Sequence, residues 1–284
     1  MTIVLRLIFV VLLGALALSV SAISANYLID HHIFDEEQRA LVQAFVMSGL
    51  LVPTVMFLRK VVDKKTLSSM GMRLPLVATY NFLFGLLPVL LPLVVVILLS
   101  NSLGWSEVRI DMKADRLLPL LTGAFVALLF EALPEEIAYR GYVFSTLNER
   151  LSKLGAGLIT TALFTLSPII FYFLHKSLFL LDPTLGGAGS IHPSYLITLV
   201  IFGLFVMYLR ILTETIWAPM GFHMAFVYVD RIIGPNRTDF VQFSEIKNTG
   251  AMLAAGGSVF FCTLILMVAL PWLRGRPIGW RKID

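Results

Sequence analysis

Leu120-Leu121-Thr122-Gly123-Ala124-Phe125-Val126-Ala127-Leu128-Leu129-Phe130-Glu131-Ala132-Leu133-Pro134-Glu135-Glu136-Ile137-Ala138-Tyr139-Arg140-Gly141-Tyr142-Val143-Phe144-Ser145-Thr146-Leu147 is apolar enough to enter a bilayer, yet it carries three glutamates and an arginine. An ionised carboxylate in hydrocarbon costs several kcal/mol, so such residues face a bundle interior or a watery cavity and mark function. On a helix Glu136 and Arg140 stand one turn apart and can pair. Glu135 is rotated about 100° from Glu136, onto the face of Glu131, so the arginine need not neutralise it. One carboxylate is held by a counter-ion, and its neighbour stays available for proton chemistry.

The rest of the chain places this stretch in a membrane. Of its 284 residues, 58% are hydrophobic and 14% charged, and the mean hydropathy is +0.86, far from a soluble domain. No Pro/Gly/Ser-rich linker or change of composition divides it, so residues 1–284 read as one integral-membrane domain. No basic stripe interleaved with aromatics supports nucleic-acid binding. Cys262 is the single cysteine, which excludes an internal disulfide and a cysteine-rich metal cluster.

Crossing a bilayer takes about 20 apolar residues. Eight segments qualify, at roughly 3–26, 40–58, 77–99, 117–147, 155–175, 195–213, 215–230 and 253–273. The expected fold is therefore all-α, a polytopic bundle of about eight helices around a polar intramembrane cavity. Pro134 should kink the fourth segment or start a new helix, in which case Glu135 and Glu136 lie in a first turn favoured by the helix dipole. The seventh segment is short and fits only as a helix buried inside the bundle. The first ends in Val-Ser-Ala and Ile-Ser-Ala, which also resembles a signal cleavage site; retention suits the topology better.

Alternating the loops sorts the charges. One side receives Arg6, Arg59, Lys60, Lys64, Lys65, Arg73, Arg150, Lys153, Arg210 and the tail Arg274, Arg276, Arg281 and Lys282. The other collects Asp30 to Glu37, Glu107 to Asp115, Asp182, Asp230, Asp239 and Glu245. The positive-inside rule then puts both termini in the cytoplasm.

Phe171-Tyr172-Phe173-Leu174-His175 ends the fifth segment, with Phe171 and His175 one turn apart, and Met220-Gly221-Phe222-His223 puts a second histidine in the seventh. Asn248-Thr249-Gly250 through Gly256-Gly257-Ser258 opens the eighth with small residues that permit close helix contact. His31 and His32, among Asp30, Asp35, Glu36 and Glu37, read as a solvated loop, and His192 as structural.

Together these elements resemble the CAAX prenyl protease and bacteriocin-processing (CPBP, Abi) family of intramembrane proteases, over roughly residues 65–260. The resemblance rests on EExxxR at Glu135, Glu136 and Arg140, on FxxxH at Phe171 and His175, and on His223. Leu67-Ser-Ser-Met-Gly-Met-Arg73, like the family's short glycine-containing loop, and Thr215-Ile-Trp-Ala-Pro-Met220 are weaker echoes. It implies hydrolysis of a peptide bond in a membrane-associated peptide or protein, in contact with lipid, most simply in a bacterial cytoplasmic membrane. By analogy Glu135 is the general base that activates water, His175 assists or positions that water, Glu136 and Arg140 brace the site, and His223 helps stabilise the tetrahedral oxyanion.

One departure stands. The family usually has Asn, sometimes Asp, four residues after this histidine; here the position is Val227, which can neither donate nor accept a hydrogen bond. A catalytically impaired member acting as a peptide-binding or immunity protein therefore stays open, as does a proton-coupled transporter, since intramembrane Glu and His also serve proton relays. No cofactor is favoured. Zinc is possible through Glu135, His175 and His223, but HExxH is lacking, and a metal-free glutamate mechanism is preferred.

Overall fold

The computed structural model describes residues 2–73, 75–110, 113–179, 193–233 and 241–273. His192, Asp182, Asp239 and the basic tail from Arg274 lie outside the described residues, as does the side chain of Asp230.

Among the described residues, seven helical segments are long and apolar enough to cross a membrane. They are built on α1 (Ile3–Asp30), α2 (Arg39–Phe57), α3 (Pro75–Ser102), the run Leu117–Asn148, α7 (Lys153–Phe179), α8 (Pro193–Thr213) and α10 (Thr249–Leu273). The eighth, α9 (Trp217–Ile233), has 17 residues and is too short to span alone. Its first half is buried almost without interruption, so it lies inside the bundle, as its length demands. α1 shows how such helices associate without a hydrophobic driving force: its buried face includes Gly14, Ala15, Ala17, Ser19, Ser21, Ala22 and Ala25, small residues that admit α2 and α7 closely.

The Leu117–Asn148 run is one continuous helix in five pieces: α4 (Ala114–Val126), a π-helical turn (Ala127–Ala132), α5 (Leu133–Glu135), a second π segment (Glu136–Val143) and α6 (Phe144–Asn148). Pro134 does not start a new helix. Ala132, Leu133, Glu135 and Glu136 all have right-handed helical dihedrals, so both glutamates sit mid-helix rather than in a first turn. Proline removes one backbone donor and its ring crowds the preceding turn. The widened π segments on either side accompany that gap, a feature found mostly as single-turn bulges near functional sites.

The charges gather at two ends. At one, Asp63 accepts from Arg6 and Arg59, Glu149 from Arg59 (3.1 Å) and Lys65 (2.5 Å), and Glu214 from Arg73 (3.1 Å) and Lys153 (3.3 Å). At the other, Arg39 pairs with Glu36 and Asn26, and β1 (Glu107–Ile110) runs antiparallel to β2 (Val241–Ser244), Glu107 opposite Ser244. Arg6, Arg59, Lys65, Arg73 and Lys153 at the first end, and Glu36 and Glu107 at the second, fall as alternating the loops sorts them, whereas Asp63, Glu149, Glu214 and Arg39 are partners which that sorting does not include. The small sheet itself has no counterpart in the hydropathy pattern.

Candidate active site

The site begins with two glycines on different helices. A Cβ on Gly85 of α3 would fall 2.0 Å from the Ala218 carbonyl oxygen, and one on Gly221 of α9 would fall 2.1 Å from that of Phe82. No side chain fits at either point, so the two backbones touch. That contact fixes His223, two residues further along α9, against the acid-bearing helix.

Across from it the segment Glu136–Val143 is wholly buried. Glu136 Oε1 accepts from Arg140 Nη1 at 3.1 Å, the one-turn pair expected from the spacing, and lies 2.9 Å from His223 Nδ1. The other ring nitrogen, Nε2, is 3.9 Å from Glu135 Oε2, beyond direct hydrogen-bond reach. The imidazole therefore stands between the two carboxylates, bonded to one and turned toward the other.

Aromatic rings wall this group. Arg140 Cζ lies 4.2 Å from the centre of the Phe164 ring, a cation–π contact that offsets part of the cost of a buried guanidinium. Phe202 meets the His223 ring edge-on at 4.8 Å, and Tyr139 donates to Ser167 Oγ at 2.7 Å while packing edge-on against Phe164. The walls seal one glutamate and not the other: the Glu136 and Arg140 side chains are 0% exposed, that of Glu135 28%.

His175 is buried on α7, its ring 5.3 Å from that of Phe171, so the FxxxH spacing forms a tilted aromatic pair. Among the described residues no three His, Cys, Asp or Glu side chains come together as a metal-binding group. Val227 is half-buried one turn beyond His223. His31 and His32 are exposed beyond α1, with Tyr27 O 2.8 Å from His31 Nδ1. A cavity of about 400 Å³ lies beside α10, lined by Val96, Phe243, Met252 and Gly256 among others, and none of Glu135, Glu136, His175 and His223 reaches it. Gly256 lets α10 approach α3 closely: a Cβ there would be 2.9 Å from Val96 Cγ2.

The residue patterns anticipate the Glu136–Arg140 bond but not the pairing of His223 with Glu136. They also pass over Arg210, which is buried rather than interfacial. The available signal is its position at the end of an apolar helix and four residues before a glutamate.

Residues 117–229 match the family model described as Rce1-like, type II CAAX prenyl endopeptidase Rce1-like. The matched stretch contains the acid element, Phe171, His175, His223 and Val227, and leaves out the glycine-containing loop around Gly71. No curated protein and no solved structure gives a match.

Proposed function

We propose that this chain, whose residues 117–229 match the Rce1-like family model, is an intramembrane endopeptidase that hydrolyses a membrane-associated peptide or protein with a water activated by Glu135. The observation that carries the reading is the asymmetry of the acid pair. Glu136 is sealed and already bonded to Arg140 and His223, while Glu135 is partly exposed and its Oε2 lies 3.9 Å from His223 Nε2.

Glu135 as carboxylate takes a proton from water, and the oxygen adds to the scissile carbonyl carbon. The carbonyl π-electrons move to oxygen as the tetrahedral oxyanion forms. Glu136 accepts Nδ1–H and so orients the ring; when Nε2 also carries a proton, it donates to that oxyanion. The proton held by Glu135 then passes to the leaving amide nitrogen as the C–N bond breaks. Glu136 and Arg140 orient His223, and His175 positions the water from α7.

Val227 supports the second reading, a peptide-binding or immunity protein, since one expected donor to the oxyanion is missing. The test is comparative proteomics of membranes carrying the wild-type chain or Glu135→Gln. New amino termini that appear only with the wild type support proteolysis; identical proteomes with both proteins folded favour the binding protein. The same reading puts both termini in the cytoplasm, and cysteine labelling at residue 35 from outside, but not at 60–65, is the expected result.

A further inference from the structure

Arg210, in the last turn of α8, is 2% exposed and forms no ion pair among the described residues. Its Nε donates to the Arg140 backbone carbonyl at 3.0 Å, its Nη2 lies 3.5 Å from Ser145 Oγ, and its Cζ is 5.2 Å from the centre of the Phe144 ring. The helix itself explains the first of these bonds. In a regular α-helix the Phe144 N–H would donate to the Arg140 carbonyl four residues back. Here it reaches Tyr139 O and Gly141 O instead, because the chain is leaving a π segment. The Phe144 N–H is thereby turned away from the Arg140 carbonyl, which accepts from Arg210 Nε.

The loop that resembles the family's glycine-containing element closes over the same guanidinium. Gly71 has φ +83°, and a Cβ there would sit 2.9 Å from both Arg210 Cζ and Nη2. Its carbonyl accepts from Ile216 N at 3.2 Å, immediately before α9. Arg210 thus lies where the acid-bearing helix, the glycine loop and the approach to His223 meet.

We propose that Arg210 is a positioning residue, whose guanidinium binds the Arg140 carbonyl at the end of the π segment and fixes the rotation of the Glu135–Arg140 turn relative to His223, with the Gly71 loop as its cover. The consequence for turnover rests on the proteolytic reading above; the contact does not. Arginine suits the place because its planar fork can serve a carbonyl and a hydroxyl at once, which an ammonium does less well.

The experiment uses the full chain in lipid vesicles and a fragment released by the wild type but not by Glu135→Gln. Arg210→Gln is expected to lower kcat by about 100-fold, the order of loss that a misplacement near 1 Å produces, with KM within about twofold. Arg210→Lys should recover part of that loss. Gly71→Ala, which pushes the guanidinium aside without removing it, should lower kcat in the same direction. Independently of cleavage, hydrogen exchange over 136–148 should rise in Arg210→Gln while α1 keeps its wild-type protection. Unchanged kcat and unchanged exchange overturn the proposal. So does loss of protection throughout the bundle, which marks a general structural role, or a change confined to KM. If Arg210→Gln does not accumulate, Arg210→Lys and Gly71→Ala carry the test, and wild-type kcat in both overturns it. If no cleavage depends on Glu135, the proteolytic reading falls, and the exchange measurement alone decides on the contact: protection unchanged over 136–148 overturns it.

Discussion

The span Leu117–Asn148 and the span Thr249–Trp272 have similar mean hydropathy, 1.9 and 2.3, and opposite uses. Of the most apolar window of the second only 6% is buried, against 22% in the first, and Leu253, Phe261, Ile265 and Leu266 are all exposed on the second. The first contains the uninterrupted buried segment Glu136–Val143. In a soluble protein the more apolar helix would hold the core. Here lipid solvates Leu and Phe as well as protein does, so the apolar helix stays outside. The helix carrying charge moves inward, because only protein can satisfy those groups.

The contrast breaks first at Glu136. Glu136→Gln leaves Arg140 buried beside a neutral amide and takes the anion from His223, so we expect a cost of about 3–5 kcal/mol, read as a large fall in abundance in membranes. A charge-neutral change on the lipid face of α10 has no comparable partner to lose. Normal abundance of Glu136→Gln would mean that the sealed pair is not what holds this helix in place.

A second test sharpens the comparison within the buried region. Val227→Asn restores a polar group one turn from His223 at nearly constant volume. Loss of one oxyanion donor costs about 100- to 1000-fold in kcat, so a gain up to that order is expected where the geometry survives. A wild-type enzyme slowed by the asparagine would contradict the role given to His223 and its neighbour.

A third compares matched deletions of one methyl group. Ile137 is 1% exposed on the acid-bearing helix and Ile265 is 65% exposed on α10. Ile137→Val is expected to cost about 0.5–1.5 kcal/mol, and Ile265→Val close to nothing, in unfolding from detergent micelles. Equal costs would show that α10 is packed against protein rather than lipid.

These experiments address features with different histories in the residue pattern. The spans were legible because bilayer thickness sets their length, and the burial of α9 followed from its shortness. The Glu136–Arg140 bond followed from one-turn spacing. What the pattern could not carry was tertiary. The π segments around Pro134 leave the local composition ordinary, and the partner of His223 depends on a backbone contact at Gly85 and Gly221 from distant parts of the chain. Arg210 sorts with interfacial basic residues by hydropathy alone, because its acceptor is a main-chain carbonyl that no side-chain pattern announces.

The smallest effect concerns the charged end of the bundle. Burial pushes the Glu149 carboxyl up, but hydrogen bonds and charge from Lys65 and Arg59 outweigh it and hold it below its ordinary value of 4.5. A depressed folded pKa gives stability that is present above pH 4.5 and lost as pH falls through the folded value. Glu149→Gln should therefore lower stability slightly near neutrality and flatten the acid limb, with the two proteins converging below the folded value. An unchanged acid limb would remove this clamp from the account.

The central claim is that adjacent glutamates do different work, and turnover per folded molecule tests it most directly. With a fragment identified from wild-type membranes, Glu135→Gln should give normal amounts of folded protein and a rate lower by about 100- to 10,000-fold, the range for loss of a general base. Cleavage by Glu135→Gln at the wild-type rate per folded molecule would contradict the claim and move the base elsewhere.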